Sequence, residues 1–197
     1  MTQLLLTSPS EVTADFSACG RFRFRLDYRW SPGPLWAFCL LNPSVGGGGQ
    51  TSDNLDPTLR RCMGFARAGG AGAMAIVNLS PFVGTDPADL WAALDRGEDV
   101  WQKALNRRAI VDSAVEAHDS GGKLVCGWGG FSKANGAQWR AAAFRADKLL
   151  DSVRMRGVSP QALALTKSGS PRQPRHPLYL PKGLVPRPLA EMRRGGA

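Results

Sequence analysis

The chain has 197 residues, 43% hydrophobic and 21% charged, which suits one domain with a packed core and excludes a largely disordered chain. No apolar run approaches the roughly 18–20 residues of a membrane helix. No basic stretch precedes the N-terminal leucines, and the four dispersed cysteines and two histidines favour neither a zinc site nor a disulfide framework. The expectation is a cytoplasmic, soluble monomer with reduced thiols, no metal and no cofactor. Its net charge of +9 draws polyanions, nucleic acid above all.

In chain order, residues 21–30 alternate without a break, with Phe22, Phe24, Leu26, Tyr28 and Trp30 on one side and arginines on the other. That period of two predicts a half-buried strand, either an edge strand that its arginines protect or one whose basic face meets DNA. Leu35–Leu41, Ala73–Val77, Lys123–Gly127 and Ala162–Leu165 are short apolar runs separated by helical stretches, the pattern of a parallel sheet covered on both faces. Asp56 caps a helix over Pro57–Ala68. Asp86 and Pro87 open a helical region that runs to His118 and is split at Gly97, and a further helix spans Ala137–Arg154. The proline- and arginine-rich C-terminal stretch reads as an extended loop, with a basic tail over 184–197. The whole is one α/β domain, a three-layer α/β/α sandwich with a central, mostly parallel sheet and an N-terminal antiparallel strand.

Ligands of such sheets bind beyond the carboxyl ends of the strands. Those ends carry Asn42-Pro43-Ser44 with glycines at 46–49, then Asn78 to Phe82, then Trp128-Gly129-Gly130, then Thr166-Lys167-Ser168 and the segment to Tyr179. The glycine run lacks a following Gly-Lys-Ser/Thr, no G-x-G-x-x-G opens a helix, and no G-x-S-x-G is present. A P-loop, a dinucleotide fold and a serine hydrolase are thereby unsupported. An amide-rich rim with one histidine and positive charge remains, suited to reading hydrogen-bonding edges, steadying a developing anion and holding phosphates. Toward the C-terminus the bases Lys167, Arg172, Arg175, Lys182, Arg187, Arg193 and Arg194 face the single acid Glu191.

Asn-Pro-Ser after the first of these strands, Asn78 after the second and His176-Pro177-Leu178-Tyr179 after the fourth resemble the motif arrangement of the uracil-DNA glycosylase superfamily. The chain is also similar to an uncharacterised bacterial and phage family marked by L-N-P-S, D-P-T-x-R-R, N-L, W-G, T-K-x-G-x-P and H-P-L-Y. Here these stand at Leu41–Ser44, Asp56–Arg61, Asn78-Leu79, Trp128-Gly129 and within Thr166–Tyr179. The resemblance implies a DNA glycosylase. In it Asn42 holds the attacking water, Asn78 reads the edge of a flipped base, and His176 donates to the departing base. Asp53 and Asp56 are the candidate carboxylate bases, Asp56 standing equally as a helix cap. Phe82 and Trp128 are expected beside the base. Lys167, Ser168, Arg172 and Arg175 are expected on phosphates, and Leu178 and Tyr179 either wedge into the base stack or pack back on the domain.

Ordinary uracil glycosylases carry a bulky aromatic after the first-motif proline, which blocks substituents on C5. Ser44 stands there here, so the resemblance implies a pocket open to enlarged pyrimidines such as glucosylated hydroxymethylcytosine in phage DNA, and a role in antiviral defence. Lys167, the one lysine on the rim, is assigned to phosphate, which leaves water as nucleophile and an abasic site as product. Three alternatives stay open: a glycosylase for uracil or another damaged base, a nucleoside N-glycosidase, and a non-catalytic nucleic-acid-binding module.

Overall fold

Leu35–Leu40 and Ala73–Asn78, apolar throughout but for the terminal Asn78, leave no polar face to give to water, so both strands must be covered twice. In the computed structural model, which describes residues 11–45, 55–167 and 173–192, every residue of both is buried. They are β3 and β4 of a seven-stranded mixed sheet, preceded by β1 (Glu11–Phe16) and β2 (Arg23–Arg29) and followed by β5 (Lys123–Cys126), β6 (Gln161–Ala162) and β7 (Arg187–Pro188). The spatial order is β1-β2-β4-β3-β5-β6-β7. The four central strands β4, β3, β5 and β6 run parallel, and the pairs at either side are antiparallel.

Four helices lie in two layers. Helix α1 (Pro57–Ala68) covers one face, packing Leu59, Cys62, Met63 and Phe65 against Trp36, Phe38, Leu40, Met74 and Ile76. On the other face α2 (Pro87–Asp95), α3 (Lys103–Asp119) and α4 (Gly136–Arg154) pack against Ala37, Cys39, Ala75, Val77 and Leu124. Each fully buried Leu, Val, Ile or Phe contributes about 1.5–3 kcal/mol, so this two-sided burial, not the short ladders, holds the sheet. The helix starts follow their caps. Asp56 accepts from Thr58 N at 2.7 Å, Asp86 forms a capping box with Asp89, and Asn135 forms one with Gln138. Gly97 follows the end of α2 with φ +80°, separating it from α3.

Three sequence expectations need correction. The strand at 21–30 is not an edge: β1 pairs outside it, from Glu11↔Arg29 to Phe16↔Arg23. Its arginines do not all face out. Arg25 is ion-paired with Asp27 and Glu116, whereas Arg23 is buried. A bulge causes this, because one step on β1 from Asp15 to Phe16 spans two steps on β2, from Arg25 to Arg23. The fourth parallel strand is only Gln161–Ala162, and Leu165 joins Pro174 in an isolated bridge. Part of the tail is built into the fold: β7 pairs with β6, Leu189 is fully buried, and Met192 packs on the core. No helix among the described residues is long and apolar enough to cross a membrane.

Candidate functional site

The loops after β3 and β4 are knitted together before any functional group is placed. Leu79 N and Ser80 N donate to the carbonyls of Leu40 and Leu41 at 2.8 and 2.9 Å. Gly84 N donates to the Pro43 carbonyl at 2.9 Å, and the Asn42 amide nitrogen donates back to the Gly84 carbonyl at 2.9 Å. That last bond fixes the amide plane of Asn42. Beside it the Ser44 hydroxyl donates to Asp56 Oδ2 at 3.5 Å, so the helix-capping carboxylate is also tied to the Asn-Pro-Ser loop.

His176 arrives by a different route. After β6 the chain returns on itself: Thr166 N donates to the Gln173 carbonyl, and Arg175 N donates to the Ala164 carbonyl at 2.7 Å. Gly129, at φ +79°, donates from its N–H to the Pro174 carbonyl at 2.9 Å. A Cβ on Gly127 would lie 2.7 Å from Pro177 Cδ, so only glycine lets the His-Pro turn seat on the end of β5. Arg61, the last residue of Asp-Pro-Thr-Leu-Arg-Arg, donates from its guanidinium to the Leu180 carbonyl and straps the turn to α1. His176 Nδ1 accepts from Leu178 N at 3.4 Å, which leaves the ring proton on Nε2. Burial pushes the His176 pKa below the ordinary histidine value, with Asp56 opposing part of the shift. The ring is therefore a neutral donor at pH 7.

These loops enclose an open cavity of about 410 Å³ on the α1 side of the sheet, lined by Asn42, Ser44, Asp56, Asn78, Gly84 and His176 among others. A ligand-sized cleft with few convergent polar groups is the usual form of a small-molecule or base pocket. Its floor carries two groups the fold leaves unsatisfied. Asn78 is 1% exposed, and among the described residues neither its Nδ2 nor its Oδ1 has a partner. Arg23, 3% exposed, lines the same cavity with Leu40 and Ile76, and its Nε has no partner either. Buried polar groups are nearly always paired, so two such residues in one cleft point to a ligand that pairs them.

Of the residues expected at the site, the structure gathers Asn42, Ser44, Asp56, Asn78, Arg175, His176, Leu178 and Tyr179 around one cavity. Two it does not. Phe82 is buried, with its ring edge-on to Phe22 at 6.2 Å and the Arg21 guanidinium over it at 5.7 Å, and it does not line the cavity. Trp128 sits in the core on the face of α2 to α4, because the residue just past β5 points to that side. Lys167 is exposed and outside the lining, while Tyr179 stands 69% exposed at the mouth, its ring 5.8 Å from that of His176. The remaining candidates Asp53, Ser168 and Arg172, with the glycines at 46–49 and the tail residues Arg193 and Arg194, lie outside the described residues. Arg23 was invisible to sequence reasoning, since strict alternation puts it in solvent. Among the described residues no group of three or more His, Cys, Asp and Glu could hold a metal ion, and all four cysteines are free.

A family model described as a protein of unknown function (DUF1643) matches residues 23–178. The chain belongs to that family. The DUF1643 span opens at Arg23 and closes at Leu178, so it contains every described lining residue of the cavity but Tyr179. No curated protein and no solved structure matches the chain.

Proposed function

We propose that this DUF1643 protein is a monofunctional DNA glycosylase that hydrolyses the N-glycosidic bond of a C5-modified pyrimidine, in defence against phage. One observation carries the reading. A buried asparagine with both amide atoms unpaired shares a cavity with a neutral histidine whose free proton is on Nε2. An amide that can donate and accept at once suits the edge of a flipped base. A neutral ring donor suits the base oxygen on which charge gathers as the C1′–N1 bond breaks.

The remaining chemistry follows from the same residues. The base leaves with the bonding electron pair, as an anion, and water adds its oxygen to C1′. Asn42, its nitrogen engaged by Gly84, offers its oxygen to orient that water, and Asp56, in the same lining, takes the proton. The small hydroxyl of Ser44 in the lining supports room beside C5, and glucosylated hydroxymethylcytosine is the substrate of choice. Lys167, outside the lining, supports water rather than an amine as nucleophile. Arg175 at the rim and the exposed Tyr179 are suited to hold phosphate and to fill the gap left by an extruded nucleotide.

The test uses purified protein with DNA containing glucosylated hydroxymethylcytosine, DNA containing uracil, and unmodified DNA. Released base is followed by mass spectrometry and abasic sites by alkaline cleavage. Release from the glucosylated DNA is expected, with His176→Ala slowing it about 10²–10³-fold while DNA binding persists. Release from uracil DNA alone refutes the open C5 pocket. Binding without release from any of the three refutes the glycosylase reading.

A further inference from the structure

The buried guanidinium of Arg23 has no part in the steps above. Among the described residues it forms no ion pair, and its Nε has no hydrogen-bond partner. Burial pushes its pKa down to about 10, with Tyr28 and Asp56 opposing, so it is still charged at neutral pH. Holding an unpaired charge inside a fold is strongly unfavourable, and a bulge in β2 has to break the strand alternation to put it there. The defect is not isolated. The Tyr28 hydroxyl is buried and unpartnered on the same strand, and both amide atoms of Asn78 are unpartnered on the cavity floor. Within the cavity, acceptors of a ligand would satisfy Arg23 Nε and Asn78 Nδ2, and a donor would satisfy Asn78 Oδ1. Asp56, the acid whose charge acts on Arg23, already accepts from Thr58 N and Ser44.

We propose that Arg23 is the residue that reads the ligand at the cavity floor, pairing with a carbonyl oxygen or an anion, so that the site takes carbonyl-bearing or anionic pyrimidines and rejects cationic bases. This rests on the pyrimidine reading given above. In the hydrolysis, the electron pair of the C1′–N1 bond stays on the leaving base, and Arg23 pairs with the resulting anion. The anion later takes a proton from solvent. Alkylated bases with a fixed positive charge meet a like charge in the floor, which disfavours them before any chemistry.

Titration calorimetry of the full chain with barbiturate, a pyrimidine anionic at neutral pH, and with neutral uracil tests the assignment. Barbiturate is expected to bind about 10–100-fold more tightly, the worth of hydrogen bonds to a charged group. Arg23→Met is expected to abolish that ratio and Arg23→Lys to restore part of it, a pattern that a purely structural arginine does not produce. Arg23→Gln serves where the methionine variant fails to fold, with thermal melting of each variant run in parallel. Equal affinities in the wild type, no barbiturate binding at millimolar concentration, or a preference that survives in Arg23→Met overturns the proposal. Base release from the DNA panel at an unchanged rate in Arg23→Met overturns it while leaving the glycosylase reading intact. A ratio that depends on Arg23 in a protein releasing no base supports the anion-reading floor and refutes the glycosylase.

Discussion

Asn78→Leu should make this protein more stable and less able to act. The side chain is 1% exposed, and its two polar atoms have no partner among the described residues. A buried donor or acceptor left unpaired costs about 1–3 kcal/mol, and a leucine of similar size removes both. Its methyl groups meet an apolar surround, since Leu40, Leu59 and Ile76 line the same cleft. Cavity water reaching the amide reduces the gain, so the expected net stabilisation is about 1–2 kcal/mol. For a chain of this size each kcal/mol shifts Tm by about 2–4 °C, which gives a rise of about 2–8 °C. The assay is thermal unfolding by circular dichroism at fixed pH without ligand, paired with single-turnover base release. Release should fall at least about tenfold, the worth of one hydrogen bond to the base edge. A Tm lowered by several degrees refutes the reasoning, because it means that the amide holds the fold together. A raised Tm with unchanged release refutes the role in reading the base.

Two further outcomes follow from the electrostatics. The folded pKa of His176 lies below that of an unfolded histidine, about 6.5, so its contribution to stability is complete above that pH and is lost as pH falls toward the folded value. Asp56→Asn keeps an oxygen to cap α1 but removes the charge that opposes the shift, so a ring titration by NMR should show an already low midpoint move lower. A midpoint at or above the ordinary value contradicts the burial of the ring. On the rim, Arg175→Ala should reduce the slope of log K for DNA against log salt by about 0.9, the effect of one lost phosphate contact. An unchanged slope in fluorescence titrations puts the phosphate path elsewhere.

What could be read from the residues was whatever two-sided burial and local capping dictate. The apolar runs gave β3, β4 and β5 to within a residue, and Asp56 and Asp86 mark helix starts through bonds made within three residues. Strand ends then carried Asn42, Asn78 and His176 to one cleft. The misses have other causes. Strand β1, mostly exposed, is held by ladder bonds to β2; Val12, Ala14 and Phe16 alternate with polar residues, but of these only Val12 packs on the core and Phe16 stays exposed. Strand β7 is two residues including a proline, paired with a segment some 25 positions earlier. Phe82 and Trp128 were set beside the ligand because they follow strands, yet a position after a strand does not say which face the side chain takes. Arg23 escaped because a bulge depends on the partner strand, and the partner itself was unseen.

The bond from Arg61 to the Leu180 carbonyl gives α1 two attachments to the cavity. Asp56 sits at the first end of the helix, and the turn bearing His176 is strapped to the middle. The carboxylate and the imidazole therefore ride on one rigid lever, and their spacing stays constant whatever the rest of the wall does. The loop in which Asn42 is latched to Gly84 is anchored instead on β3 and β4, and it meets Asp56 through the 3.5 Å contact of Ser44. The width of the cleft is the gap between this loop and the lever. A change in how α1 lies on the sheet alters the distance from the water-holding amide to both other groups at once, leaving the acid–histidine pair itself untouched.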